Sequence, residues 1–424
     1  MRTKAPKTTT RMTPGDVRPD IVRLKNGIPV FLIRAGSQPV VRLDLTFSAG
    51  AWWQSKPLQA SLVNAMISEG TAKRPGREIA EILDCHGAYI NASSDRDNAF
   101  LTIYFLARHM DIILSLAAEM IREPSFPAEE YHALMDRRKQ NFLIEKSKVG
   151  NLARDGFACA LFGPGHPYGR TFSRQDFDNI LREDIIDFHS RFYHSRNCKI
   201  VVSGNYDEKA LLSRLDELFG DKWDPPGIGE PVKVGKRPSA ERHIFVPKKD
   251  AVQSALRIGH ETFVKSHPDY PQMLVLNNLL GGHFGSRLMQ NIREKKGYTY
   301  GIGSVLAGLR NSGFLVIVSE VGTGYHKAAL KEIYRELDKL CSKPVSEREL
   351  KLTRNQMLGD LLRDFDGPFA RAESIRTLIE HDLEIDFYDR IIHAINTVTP
   401  AELLELANKY LSPHSMYEVV AGHE

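Results

Sequence analysis

"DIIDFHSRFYHSRNCKIVVSG", residues 184–204, lies without a gap over "ELLELANKYLSPHSMYEVVAG", residues 402–422, at an offset of 218. Asp184 falls on Glu402, Ile185 on Leu403, Phe188 on Leu406, Phe192 on Tyr410, and Val201-Val202 on Val419-Val420. Each copy reads as an amphipathic helix running into a Val-rich strand. A second stretch, "REIAEILDCHGAYINASS" (77–94), lies over "RLMQNIREKKGYTYGIGS" (287–304) at an offset of 210. There Arg77 meets Arg287, Ile79 meets Met289, Ile82 meets Ile292, and Gly87 meets Gly297. Order, spacing and ends agree, which makes internal duplication the reading. The chain is predicted to be α+β: two homologous halves, each an antiparallel sheet with helices packed on one face.

The elements between these anchors fit that plan. "VRLKNGIPVFLIR" sets Asn26-Gly27 between two apolar runs, a strong hairpin signal. In "VVRLDLTFSAG", Val41, Leu43, Leu45 and Phe47 alternate with Arg42, Asp44, Thr46 and Ser48, which predicts a half-buried strand. A helix follows, with Ser55 as its N-cap and Pro57 in its first turn. A second helix over about 76–86 ends before Gly87, and helices dominate from about 108 to 195. "GDKWDPPGIGEPVKVGKRPSA" carries no apolar period and is rich in Pro, Gly and Lys, so it reads as a linker. The boundaries are therefore a disordered tail at 1–19, an N-terminal half at 20–219, a linker at 220–240 and a C-terminal half at 241–424.

Composition narrows the class. The chain of 424 residues is 42% hydrophobic and 26% charged, the balance of a globular protein. Its 57 basic and 53 acidic residues are interspersed, which gives no argument for a nucleic-acid partner. Cys85, Cys159, Cys198 and Cys341 are far apart, so neither a zinc knuckle nor a redox pair is indicated. No apolar run is long enough to span a membrane. The opening "MRTKAPKTTTRMTPG" lacks the apolar core of a secretory signal, and a cytoplasmic address is the default expectation.

The first helix, "LQASLVNAMISEGT" (58–71), has an apolar stripe of Leu58, Leu62, Ala65 and Met66 beside a small polar one of Ser61, Asn64 and Ser68. Ligands at i and i+4 on a helix face are how many metalloenzymes hold a metal, but Ser61 and Ala65 cannot do so. In the second half, "IREKKGYTYGIGS" places Arg293 where the first half has Leu83, and Tyr300 where it has Ile90. An arginine at a helix C-terminus also complements the macrodipole, and tyrosine is a good strand residue.

"SEGT" after the first helix, "GAYINASS", "GHPYGR" and "GSRLMQNIREKKGYTYGIGS" occur in an order and spacing that resemble the pitrilysin/insulinase-type zinc metallopeptidases and their inactive relatives. The resemblance runs from about residue 20 to 422. It implies duplicated α+β halves that pair as a clam-shell around a peptide-holding chamber. In active members the first helix carries H-x-x-E-H, two zinc ligands flanking a general base. With "EGT" in register this chain has Ser61-Leu62-Val63-Asn64-Ala65 there, so the motif is degenerate at Ser61, Asn64 and Ala65. The third ligand, a glutamate, would fall within "DRRKQNFLIE", where Asp136 and Glu145 are the only acids and neither matches clearly. The resemblance thus implies no catalytic group and no metal on this chain alone, with zinc expected on a partner.

The same resemblance gives Arg293 and Tyr300 the place of the family's Arg/Tyr pair, which supports substrate and transition state across the chamber. Asn91 and Ala92 match an edge strand on which peptides add by β-augmentation. The expected partners are a zinc-bearing H-x-x-E-H relative in a heterodimer, or a second copy in a homodimer, with a peptide as substrate. The rival reading is an inactive structural protein, like the core subunits of respiratory complexes. Other features carry less. His166 in "GPGHPYGR" is expected to shape a loop, and Gly281, Gly282 and Gly285 to serve helix-start geometry. The pairs His132/Asp136 and His189/His194 lack a third ligand at sensible spacing.

Overall fold

The computed structural model of the chain describes residues 18–224, 229–230 and 235–423. The tail expected at 1–19 thus falls outside the described residues except for its last two, and so do residues 225–228 and 231–234 of the linker.

The N-terminal half runs β1 (Asp20–Arg23), β2 (Pro29–Arg34), β3 (Val40–Phe47), α1 (Gln59–Met66), α2 (Gly76–Cys85), β4 (Tyr89–Ser94) and β5 (Ala99–Leu106). It continues α3 (Met110–Arg122), α4 (Ala128–Lys146), α5 (Val149–Phe162), α6 (Arg174–Asn179), α7 (Arg182–Phe192), β6 (Cys198–Gly204) and α8 (Glu208–Phe219). The C-terminal half runs β7 (His243–Pro247), β8 (Gln253–Thr262), α9 (Tyr270–Asn277), β9 (Thr299–Gly308), β10 (Gly313–Gly322) and α10 (His326–Ser342). It ends α11 (Glu347–Asp364), α12 (Gly367–Glu380), α13 (Phe387–Thr397), α14 (Pro400–Tyr410) and β11 (Tyr417–Gly422).

The duplication is visible in the sheets. Strand order is β1-β2-β6-β3-β5-β4 in the first half and β7-β11-β8-β10-β9 in the second, the same order with β1 added at one edge. Each sheet is antiparallel except for one pair, β2 with β6 and β7 with β11. The matched glycines Gly87 and Gly297 both take positive φ, +60° and +67°, where a side chain would be strained. β4 and β9 are the equivalent edge strands.

Each half also lends a helix to the other. α5 packs on β8 and β11 of the C-terminal sheet, and α12 packs on β6 and β2 of the N-terminal sheet. Both helices have 14 residues, and their ends match at the offset of 218. So each sheet has its own helices on one face and the other half's helix on the opposite face.

This exchange changes the character of β3. Alternation predicted a half-buried strand, yet Arg42 is 1% exposed and Asp44 0% exposed. Leu43 and Leu45 face their own helices, while Arg42 and Asp44 lie under α12. Arg42 donates from Nε and Nη2 to the Asp44 carboxylate at 2.7 and 2.8 Å, and its Nη2 lies 2.6 Å from Glu373 of α12. Thr102 Oγ1 donates to Asp44 at 2.6 Å, so the buried carboxylate is fully engaged.

Two hairpin turns lock the halves together. Asp97, between β4 and β5, accepts from the Tyr168 hydroxyl at 2.5 Å and from the Arg310 backbone N–H at 3.1 Å. Arg310 belongs to the β9–β10 turn and also donates to Ser48 Oγ at 2.8 Å. Among the described residues no helix is long and apolar enough to cross a membrane.

Candidate functional site

α1 starts differently from expectation. Ser55 does not cap it; Leu58, with φ 76°, precedes Gln59, the first helical residue. The Gln59 carboxamide oxygen instead accepts from the Ser55 and Lys56 backbone N–H groups at 3.0 and 2.9 Å. Leu62 and Met66 are fully buried, as the apolar stripe required.

The degenerate positions have other occupations. Ser61 Oγ donates to the Leu58 carbonyl at 3.1 Å. Arg138 of α4 reaches the same residue, donating to Ser61 Oγ at 3.0 Å and to its carbonyl at 3.1 Å. Burial lowers the pKa of this guanidinium, and Arg137 beside it lowers it further, but an arginine stays charged. Asn64 is buried and donates to the Ala60 carbonyl at 3.0 Å and to the Tyr193 hydroxyl at 2.8 Å. Ala65 is half-buried and offers no donor atom. Glu145 is turned to Lys148 and Asn151, and Asp136 is exposed. This helix face therefore holds a cation and no ligand, and its residues do not fit zinc. Among the described residues no three His, Cys, Asp or Glu side chains cluster as a metal site.

Arg138 lies in the segment where the resemblance implies an acidic ligand. The one local signal was that "DRRKQNF" holds three consecutive cations, Arg137 to Lys139, where a ligand would sit.

Arg293 lies in the π-helical turn Met289–Lys295, and Tyr300 is the second residue of β9. Tyr300 is 89% exposed. The Arg293 guanidinium stacks 4.6 Å over the Phe284 ring. Among the described residues neither side chain makes a hydrogen bond or an ion pair. In the first half the matching Leu83 is buried, so the second half turns an apolar contact into a half-exposed charge. Asn91 and Ala92 sit on the edge strand β4, with Asn91 exposed and Ala92 half-buried.

The lesser candidates are structural. His166 is buried against Phe162, Trp52 and Tyr168, and its Nδ1 accepts from the Tyr168 backbone N–H at 3.2 Å. Its pKa is lowered by burial, which keeps it neutral. His189 bonds the Ile121 carbonyl at 2.8 Å and burial pushes its pKa down to about 4, while His194 lies 3.6 Å from Asp224, so the two do not share a ligand. Among the described residues His132 forms no hydrogen bond or ion pair with Asp136; its ring lies against Tyr131. Gly281 is required by packing: a Cβ there would stand 2.5 Å from the Ser304 backbone nitrogen. At Gly282 a Cβ would stand 3.3 Å from the Asn277 carbonyl oxygen, and at Gly285 it would meet only the His283 side chain. The four cysteines are all free.

Comparison with known proteins agrees with this architecture. Residues 30–159 match the profile of the insulinase family, peptidase family M16, and residues 179–357 that of the peptidase M16 inactive domain. A Rickettsia felis protein named as an uncharacterized zinc protease is 23% identical, covering 96% of this chain and 98% of its own length. A Bacillus subtilis protein also named as an uncharacterized zinc protease is 22% identical over 81% of this chain and 83% of itself. The solved peptidase M16 inactive domain from Pseudomonas fluorescens superposes with a TM-score of 0.87 at 22% identity, covering 96% of this chain and 98% of that one. A protease from Helicobacter pylori superposes with a TM-score of 0.86 at 18% identity, covering 96% of this chain and 99% of that one. With both domain profiles matched in order and the fold agreeing along nearly the whole length, this chain belongs to the insulinase (M16) family of peptidases.

Proposed function

We propose that this chain is the non-catalytic subunit of a two-chain metallopeptidase, giving substrate-binding and transition-state-stabilising groups to a zinc-bearing H-x-x-E-H partner. The observation that carries the reading is the pair Arg293 and Tyr300, held at the opening of the edge strand β9 with no hydrogen-bonding partner on the described chain. A nearly fully exposed phenol and a guanidinium stacked on one ring are donors left unspent by the fold. Placed against a scissile carbonyl, both would donate to its oxygen as negative charge develops there. The exposed edge of β4, with Asn91 and Ala92, would hold an extended peptide through main-chain hydrogen bonds. The α1 face with its Arg138 cation contributes wall and no chemistry.

The test is peptidase activity of this chain, of a zinc-bearing relative encoded beside it, and of their mixture, repeated with Tyr300→Phe. Only the mixture should cleave, and the substitution should lower kcat by about 10- to 1,000-fold, as for one lost oxyanion donor. If the relative cleaves equally well alone, or Tyr300→Phe changes nothing, the structural-subunit reading replaces this one.

A further inference from the structure

α5 does not fill the face of the C-terminal sheet that it covers. Between it and β9–β10 lies a cavity of about 240 Å³. Its apolar wall is made by Phe157 and Leu161 of α5 and by Phe314 and Val316 of β10, with Val305, 52% exposed, at its rim. Three guanidinium groups border it: Arg96, Arg154 and Arg257. Arg154 is paired with Asp155 at 3.2 Å. Among the described residues the Arg96 and Arg257 side chains have no hydrogen bond or ion pair; Arg96 stacks 5.5 Å over Phe314. Glu320 exerts some attraction on Arg257 without pairing with it. Burial lowers the pKa of both arginines; Asp97 and Asp95 oppose this only in part at Arg96, as Glu320 does at Arg257.

The duplicated half shows what closure of this cavity looks like. Asp44 pairs with Val201 and Thr102 in its sheet, and Arg257 pairs with Val419 and Val318, so Arg257 stands in the place of Asp44. By the same register Val316 replaces Phe100, and along the exchanged helices Ala158 replaces Arg376. In the N-terminal half Arg376 stacks 4.8 Å over Phe100 and lies 3.8 Å from Asp44, so the space is occupied and the charge balanced. Here a smaller residue stands at both positions and the carboxylate has become a cation.

We propose that this cavity binds a carboxylate carried on an apolar body, the chemistry shared by the C-terminal residue of a peptide and by a free aliphatic acid. The guanidinium fork of Arg257 matches a carboxylate bidentately, and Arg96 and Arg154 add positive field. The volume suits a residue-sized body and is below that of sites for drug-sized ligands. Apolar walls offer nothing to the sugar and base of a nucleotide. The site is independent of any partner chain and of proteolysis.

Calorimetric titration of the full chain with three probes tests it: tetra-alanyl-leucine as free acid, the same peptide amidated, and octanoate. The free-acid peptide or octanoate should bind, and the amide at least tenfold more weakly. Arg257→Gln should weaken that binding tenfold or more, and Ala158→Arg, which restores the side chain of the filled half, should abolish it. Binding of the peptide acid alone identifies a chain terminus, and of octanoate alone a free acid; both support the site. Binding of neither acid, equal binding of the amide, or an unchanged affinity in a folded Arg257→Gln variant overturns it.

Discussion

Arg138 spends two N–H groups on Ser61, and the consequence is electrostatic as much as structural. A zinc ion bound by residues 61 and 65 would sit beside this charge, and even at an effective dielectric of 20 a unit charge about 4 Å away repels another by about 4 kcal/mol. Restoring two histidines is therefore expected to be insufficient. The variant Ser61→His/Ala65→His should hold zinc weakly, and adding Arg138→Gln should tighten binding by tenfold or more, a gain of at least about 1.4 kcal/mol. Competition against a chromophoric chelator measures both; equal affinities would show that the guanidinium swings away and exerts no control. The buried Asn64 points to the same conclusion, since its amide is committed to Tyr193, whose hydroxyl is kept protonated by burial.

At the scale of elements, α12 carries a charge problem across the interface between the halves. Its last residue, Glu380, is bonded to Arg376 at 2.9 Å, yet burial pushes its pKa up to about 7. Asp95 raises it further, while Arg376 and Lys265 oppose the shift. The folded state thus binds a proton that the unfolded chain releases at ordinary carboxylate pH, so stability is lost as pH rises towards about 7. His381 next to it is pushed down to about 3 by burial and has the opposite slope. Comparing the protein with Glu380→Gln cancels the histidine. Urea unfolding should show the wild type losing on the order of 2 kcal/mol relative to the variant between pH 5 and pH 8. A constant difference would mean that Glu380 is ionised throughout. Sequence periodicity located β3 without showing what covers it. Alternation in "VVRLDLTF" reports two faces, and nothing local reports that the face with Arg42 and Asp44 is covered by a helix more than 300 residues away. Duplication was legible because Val201 and Val419, or Gly87 and Gly297, keep the same residue in the same role. Ser61 and Arg138 were not legible as a pair, since they come together only when α4 folds against α1. Arg257 in the place of Asp44 was hidden for a similar reason: that register is set by strand pairing and lies outside both sequence-aligned stretches.

For the whole molecule, the exchanged helices decide whether two homologous halves are two independent folding units. Cutting the chain between Asp224 and Gly235 would leave an N-terminal piece with α5 but not the sheet it covers, and a C-terminal piece with α12 in the same position. Ala153, Phe157, Ala160 and Leu161 on one helix share buried clusters with strands of the C-terminal sheet, and Ile375 and Ile379 on the other share one with Ile33 and Val201 of the N-terminal sheet. Burial of each large apolar side chain contributes roughly 2 kcal/mol. The buried Arg42–Asp44 pair would also lose Glu373, its contact from α12. These losses rival the whole stability of an ordinary domain, about 5–15 kcal/mol. Residues 18–224 and 235–424, produced separately, should therefore show no cooperative thermal transition alone. Mixed, they should form a one-to-one complex that melts as a single unit. Independent folding of either piece, read as a sharp near-ultraviolet circular dichroism melt, would mean that the exchange is a docking of finished domains. A single transition restored by mixing would mean that each half of the fold is completed by the other.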